Sequence, residues 1–134
     1  MNDVKPLDEI DSYVLFSEHE GIFLFDKDLN QEVWRISMYG NATCGLLGLV
    51  NVWAVIGGEY LVIWIDNKHH KIIDPELMWV HEIRQIGDDE IEILIDPWSE
   101  QAAIWKFNLK TFAKLKIRDF KDYYGKLFEE KVNW

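Results

Sequence analysis

Residues 49–66, LVNVWAVIGGEYLVIWID, form two apolar runs rich in Val, Ile, Trp and Tyr, joined by Gly57-Gly58. Paired glycines between β-branched runs predict a two-residue hairpin, because twist-matching turns need the positive φ that glycine adopts at little steric cost. Neither run alternates between apolar and polar. Val50, Val52, Ala54 and Ile56 fall on one face, with Leu49, Trp53 and Val55 on the other. On the return run, Leu61, Ile63 and Ile65 oppose Tyr60, Val62 and Trp64. Both faces therefore need cover, which places this hairpin in the middle of the fold rather than at an edge.

Outward from the hairpin the pattern stays short and strand-like. Tyr13 to Ser17, Ile22 to Asp26, Gln31 to Ser37, His70 to Ile73, Met78 to Ile86, Glu90 to Asp96, Ala102 to Phe107 and Phe112 to Ile117 read as strands. With the hairpin this makes about ten, separated by turn residues at the regular spacing of an all-β chain. Residues 1–11 read as an acidic, poorly ordered lead-in. Tyr39 to Gly48, with three glycines and Asn41, reads as a turn region. A loose repeat runs through residues 12–117: a tight turn, an apolar strand closed by Asp26, Asp66 or Asp96, a polar loop, and a following strand that carries Trp34 or Trp105 in two of three units. An aspartate suits that position because its side chain accepts from the amides of the next turn. The unit length resembles a β-propeller blade, so the expected architecture is a meander of hairpins, or an open partial propeller. From Asp119 the period changes. Phe120, Tyr123, Tyr124, Leu127, Phe128 and Val132 fall at helical spacing, which predicts an amphipathic helix over 119–132 that docks on the strands.

The 134 residues suit a single domain over 1–134, and 49% hydrophobic content suffices for a core with no disulfide or metal. Cys44 is alone, which excludes an internal disulfide and suits a reducing compartment. The N-terminal residues carry no signal-peptide pattern, and no apolar run reaches membrane-spanning length, so a cytoplasmic protein is the expectation. Net charge is −10 and unevenly spread. Residues 1–32 hold nine acids against Lys5 and Lys27, and residues 87–100 hold six acids and no base, whereas residues 101–134 hold eight bases against four acids. An acidic surface steers a basic partner and repels a phosphate backbone, so no direct nucleic-acid binding is expected.

Chemistry-bearing patterns are sparse. His69 and His70 are adjacent, so in a strand they point to opposite faces, and neither His19 nor His81 has ligands at metal spacing. Cys44 lacks a nucleophile signature; a buried structural thiol is the commoner role. No phosphate loop, dinucleotide fingerprint or nucleophile elbow occurs, so no enzyme activity, metal or cofactor is expected. The acidic hairpin tip differs in kind. Asp88, Asp89 and Glu90 sit at a turn, and Glu92 shares the face of Glu90, while Ile91, Ile93 and Ile95 face the core. Beyond them, Asp96-Pro97-Trp98-Ser99-Glu100 sets a tryptophan in a polar loop between acids. Trp98 has two readings: an interface anchor within a charged rim, or a lid folded back over the core.

The acid-rich 1–32 segment, the Asp88-Asp89-Glu90 tip and the aromatic strands together resemble the bacterial immunity proteins of toxin–immunity and contact-dependent growth-inhibition systems. That resemblance implies a monomer that neutralises one cognate basic toxin, such as a nuclease, by occlusion. Asp88, Asp89, Glu90, Glu92, Trp98 and Glu100 would then form the partner-binding surface, provided those carboxylates are free. One alternative is a ligand-binding or enzymatic β-domain with an aromatic pocket lined by Trp53, Trp64 or Trp79. Another is a repeat fragment that completes a ring by self-association.

Overall fold

The computed structural model describes residues 4–48 and 52–134. Leu49, Val50 and Asn51, from the stretch quoted above, lie outside the described residues. The first sheet is built from β1 (Lys5–Glu9), β2 (Tyr13–Glu18), β3 (Gly21–Asp26) and β4 (Gln31–Ser37). The second holds β5 (Cys44–Leu47), β6 (Ala54–Gly57), β7 (Leu61–Ile65) and β8 (Lys68–Ile72). A one-turn 3-10 segment, Pro75–Leu77, leads to the third, with β9 (Val80–Gln85), β10 (Glu90–Ile95), β11 (Ala103–Asn108) and β12 (Lys114–Asp119). Each sheet is an antiparallel meander in chain order, and the sheets follow one another along the chain.

The all-β reading therefore holds. The described residues form no closed barrel, and the propeller suggested by the repeat goes further than these three sheets.

The second sheet lies between the other two. Val55, Leu61 and Ile63 pack with Ile83, Ile91, Ile93 and Trp105 of the third sheet. From the opposite face Ala54, Ile56, Val62 and Trp64 pack with Leu15, Ile22 and Leu24 of the first. The double-faced apolar pattern of residues 54–65 thus has the predicted consequence. Each such Val, Ile or Leu contributes ~1.5–3 kcal/mol relative to exposure. Seen in section, β5 packs against both β1 and β9.

Four expectations need correction, each for a physical reason. First, Gly57-Gly58 is not a two-residue turn. Gly57 pairs with Leu61, so the connection is Gly58-Glu59-Tyr60, and neither glycine has positive φ. The glycines serve close approach instead: a Cβ on Gly57 would meet Val80 Cγ1 at 2.6 Å, and one on Gly45 would meet Leu15 Cδ2 at 2.8 Å. These are the two seams between sheets. The two-residue hairpin falls at Asp66-Asn67, whose φ values of 52 and 64 are those of a type I′ turn.

Second, Cys44–Leu47 is a strand rather than part of a turn region, since its glycine is there for packing. Third, residues 5–9 are not a disordered lead-in. β1 pairs with β2, its Leu7 packs into the core, and Asp8 Oδ2 accepts from the Leu47 N–H at 2.7 Å. Pro6 is tolerated because β1 is an edge strand.

Fourth, no helix forms over 119–132. Phe120 and Val132 are buried against Leu94, Ala102 and Ile104 on the outer face of the third sheet. Between them the chain turns, with Gly125 at φ 75, a conformation no right-handed helix contains. Trp134 then stacks under Arg84 at 3.9 Å and donates from Nε1 to Glu82 at 2.5 Å. The segment is a strap across that sheet.

The aspartate that the sequence pattern assigns to the third unit does not stand where Asp26 and Asp66 do. Asp26 Oδ1 accepts from the amides of Asp28 and Leu29 after the third strand of its sheet. At the same place in the third sheet, Asn108 Oδ1 accepts from Lys110 and Thr111. Asp96 instead closes the second strand, β10. The matching turns start at residues 26, 66 and 108, giving spacings of 40 and 42 residues.

Candidate partner-binding site

Two backbone irregularities at the start of β9 shape the site. Trp79 has φ 61, a left-handed conformation rare for a bulky residue. Its N–H donates to the Glu59 carbonyl at 3.0 Å, and its carbonyl accepts from the Asp96 N–H at 2.9 Å. Trp79 is thereby tied to the β6–β7 turn on one side and to the end of β10 on the other. Two residues on, His81 is the extra residue of a bulge, because Leu94 faces Glu82 while Ile95 faces Val80. Bulges commonly re-aim a side chain in this way.

The Trp79 indole is consequently 58% exposed. A cleft of about 280 Å³ lies on one side, lined by Asn41, Thr43, Glu59, His81 and Asp96 as well as Trp79. On the other side a cleft of about 550 Å³ is lined by Pro75, Met78, Ile95, Asp96 and Ser99. Ring contacts carry the aromatic surface further along this rim. His81 meets Trp98 edge-on at 5.3 Å, and Trp98 meets Phe128 at 5.0 Å. Phe128 is 70% exposed and Leu127 90%. Trp79, His81, Trp98 and Phe128 thus form a ridge, with Glu59, Asp96 and Glu100 along it. Burial holds the His81 imidazole below its ordinary value, with Glu82 and Asp96 pulling the other way.

The acids predicted from sequence lie apart from one another. Asp88 and Asp89 sit at the β9–β10 turn, while Trp98 and Glu100 follow the far end of β10. Six residues of strand separate the two ends by about 20 Å. Nor are the carboxylates of Asp89, Glu90 and Glu92 free. Asp89 meets Lys110 at 3.3 Å, Glu90 meets Lys106 at 3.3 Å, and Glu92 meets Arg84 at 2.7 Å. The backbone carbonyl of Asp88 accepts from Trp53 Nε1 at 3.0 Å. Glu100 accepts from the Tyr124 hydroxyl at 3.1 Å. Trp98 is half-buried under Phe128 and Tyr123, as a lid would be, and still contributes to the ridge.

The three tryptophans named for an aromatic pocket do not converge. Trp53 is fully buried in the core. Trp64 backs a separate cleft with Asp66 and Lys110. Only Trp79 is presented to solvent. His69 packs edge-on against Trp34 at 4.6 Å and His70 against Phe112 at 5.1 Å, on opposite faces of β8 as their adjacency requires. Cys44 is half-buried where the second and third sheets meet, and burial of its thiol pushes it up to about 12, with Glu82 adding to the effect. A thiol so disposed is a poor nucleophile. Among the described residues no group of three or more His, Cys, Asp or Glu could hold a metal ion, and no helix is long and apolar enough to cross a membrane.

Sequence reasoning included Trp79 only within an alternative pocket, and assigned no role to Glu59. The available signal was an aromatic residue between Pro75 and the next apolar strand. Compared with family models and with curated proteins, the chain matches none.

Proposed function

We propose that this protein is a protein-binding inhibitor of the immunity type, which neutralises a basic toxin by laying the Trp79 rim over its active or substrate-binding surface. The observation that carries the reading is the ridge itself: solvent-facing Trp79 and Phe128, bridged by His81 and Trp98, with Glu59 and Asp96 beside them. Exposed aromatic area within an acidic border is the composition of an interface anchor. Trp79 takes the anchoring place expected of Trp98, and the tip acids Asp88, Asp89 and Glu90 are secondary, since Asp89 and Glu90 are engaged by lysines of the same chain. Net charge of −10 favours a cationic partner such as a nuclease and disfavours nucleic acid itself. The same proposal treats the three meanders as blades of an open, partial propeller, a reading supported by their 40- and 42-residue spacing.

The test is co-expression with the product of the adjacent gene, because immunity genes of this kind sit beside their toxins. Growth arrest by that product, relieved by this protein and not by its Trp79→Ala variant, is the expected result. A neighbouring product that is harmless, or whose toxicity is unaffected, defeats the proposal.

A further inference from the structure

The smaller cleft beside Trp79 has chemistry of its own. Its walls bring together an indole face, the carboxylates of Glu59 and Asp96, and the neutral acceptors of Asn41 and Thr43. No side-chain hydrogen bond or ion pair engages Glu59 among the described residues. Asp96 spends one oxygen, Oδ1, on the Trp98 amide at 3.2 Å and keeps the other. Three further surface clefts each hold a lysine of the chain: Lys5, Lys110, and the pair Lys106 and Lys114. Neither cleft flanking Trp79 is lined by a lysine or an arginine. The one basic side chain there, His81, is held below its ordinary value by burial, with Glu82 and Asp96 pulling the other way. The cleft is thus an acidic, aromatic recess that the chain's own cations leave open.

We propose that this recess receives a single arginine side chain of the partner protein, the guanidinium stacked on Trp79 and hydrogen-bonded to Glu59 and Asp96. A planar guanidinium suits such a site better than an ammonium, since it presents donors in a fixed fork and stacks on an indole. The backbone bonds from Trp79 to Glu59 and Asp96 set the three groups side by side before any ligand arrives. This inference rests on the partner-binding reading above and names the group that the partner would supply.

The test uses the isolated protein, ¹⁵N-labelled, titrated with N-acetyl-arginine methylamide. The expected result is a saturable, salt-sensitive shift of the Trp79 indole N–H resonance, with the lysine and norleucine analogues binding several-fold and at least about tenfold more weakly. Glu59→Gln and Asp96→Asn are each expected to weaken the arginine analogue about tenfold. Both keep the fold testable, because asparagine can still accept from the Trp98 amide and Glu59 holds nothing else. Absence of a saturable shift, equal response to the norleucine analogue, or unchanged binding in both variants overturns the proposal. The failures are separable. If no basic partner exists, the arginine analogue still binds; if the recess is not an arginine site, a partner can still be bound with no sensitivity to Glu59→Gln.

Discussion

A β-carbon added to Gly57 would stand 2.6 Å from Cγ1 of Val80. Val80 is buried and opens the third sheet, so the clash has nowhere to relax. Gly57 has ordinary negative φ, hence alanine there costs nothing in backbone conformation. Overpacking alone predicts that Gly57→Ala destabilises by ~1–3 kcal/mol. Urea unfolding should show the loss, and Gly57→Ala combined with Val80→Ala should lose less than the sum of the two single changes.

Gly125 gives a prediction whose sign separates two structures. In a helix, alanine would stabilise by ~1 kcal/mol. At φ 75, with nothing within 4 Å of the new Cβ, the only effect is strain from the left-handed backbone. Gly125→Ala should therefore destabilise by ~1 kcal/mol. Thermal unfolding decides the sign.

Trp79 pays for its exposure with an unfavourable conformation, of order 1–3 kcal/mol for a bulky side chain. Replacing it by glycine removes that strain and loses only partial burial. Trp79→Gly should leave stability within ~1 kcal/mol of the parent, while relief of toxicity in the co-expression assay disappears.

Two histidines predict a pH window. Burial holds both His69 and His81 below the ordinary value of 6.5. The unfolded chain consequently takes up protons that the folded one resists. Their contribution to stability is complete above pH 6.5 and declines as the pH falls below it towards the folded values. The urea midpoint should drop between pH 7.5 and 5.5, and the drop should shrink in a His69→Gln, His81→Gln double variant. Asp74 acts in a separate, lower window. Its net shift is downward: burial, the largest influence, pushes it up, but hydrogen bonds from Lys114 and the Glu76 amide outweigh that. Its contribution is present above about pH 3.8 and is lost below it.

Cys44 should be silent towards iodoacetamide at pH 8 in the native protein, because burial has driven its thiol to about 12. Full labelling is expected in denaturant. Mass spectrometry of the alkylated chain checks both, and rapid native labelling would contradict the raised thiol.

The central hairpin was legible because two apolar faces admit one explanation, cover on both sides. Other elements hid behind residues with two possible uses. Gly45 reads as a loop residue, yet its lack of a Cβ is what lets β5 touch Leu15. Pro6 and its acidic neighbours read as disorder, though an edge strand needs no amide from proline. The aromatic spacing after Asp119 fits a helix, and only the geometry at Gly125 shows a strap. The third repeat was misplaced because Asp96 and Asn108 both cap turns, and sequence ranks the aspartate first. For the site, charge was legible but pairing was not: Lys106 answers Glu90 only once β10 and β11 are in register. The left-handed turn that presents Trp79 has no counterpart in composition or periodicity.

Because β6 and β7 of the middle sheet are covered on both faces, neither end of the chain can be trimmed by a whole sheet without baring a greasy plane. Loss of residues 4–37 would uncover Ile56 and Val62, and loss of residues 80–134 would uncover Val55 and Ile63. The three meanders look modular in order, yet each outer one covers a face of the middle one. A shortened chain is expected to aggregate, which light scattering on either truncation would check.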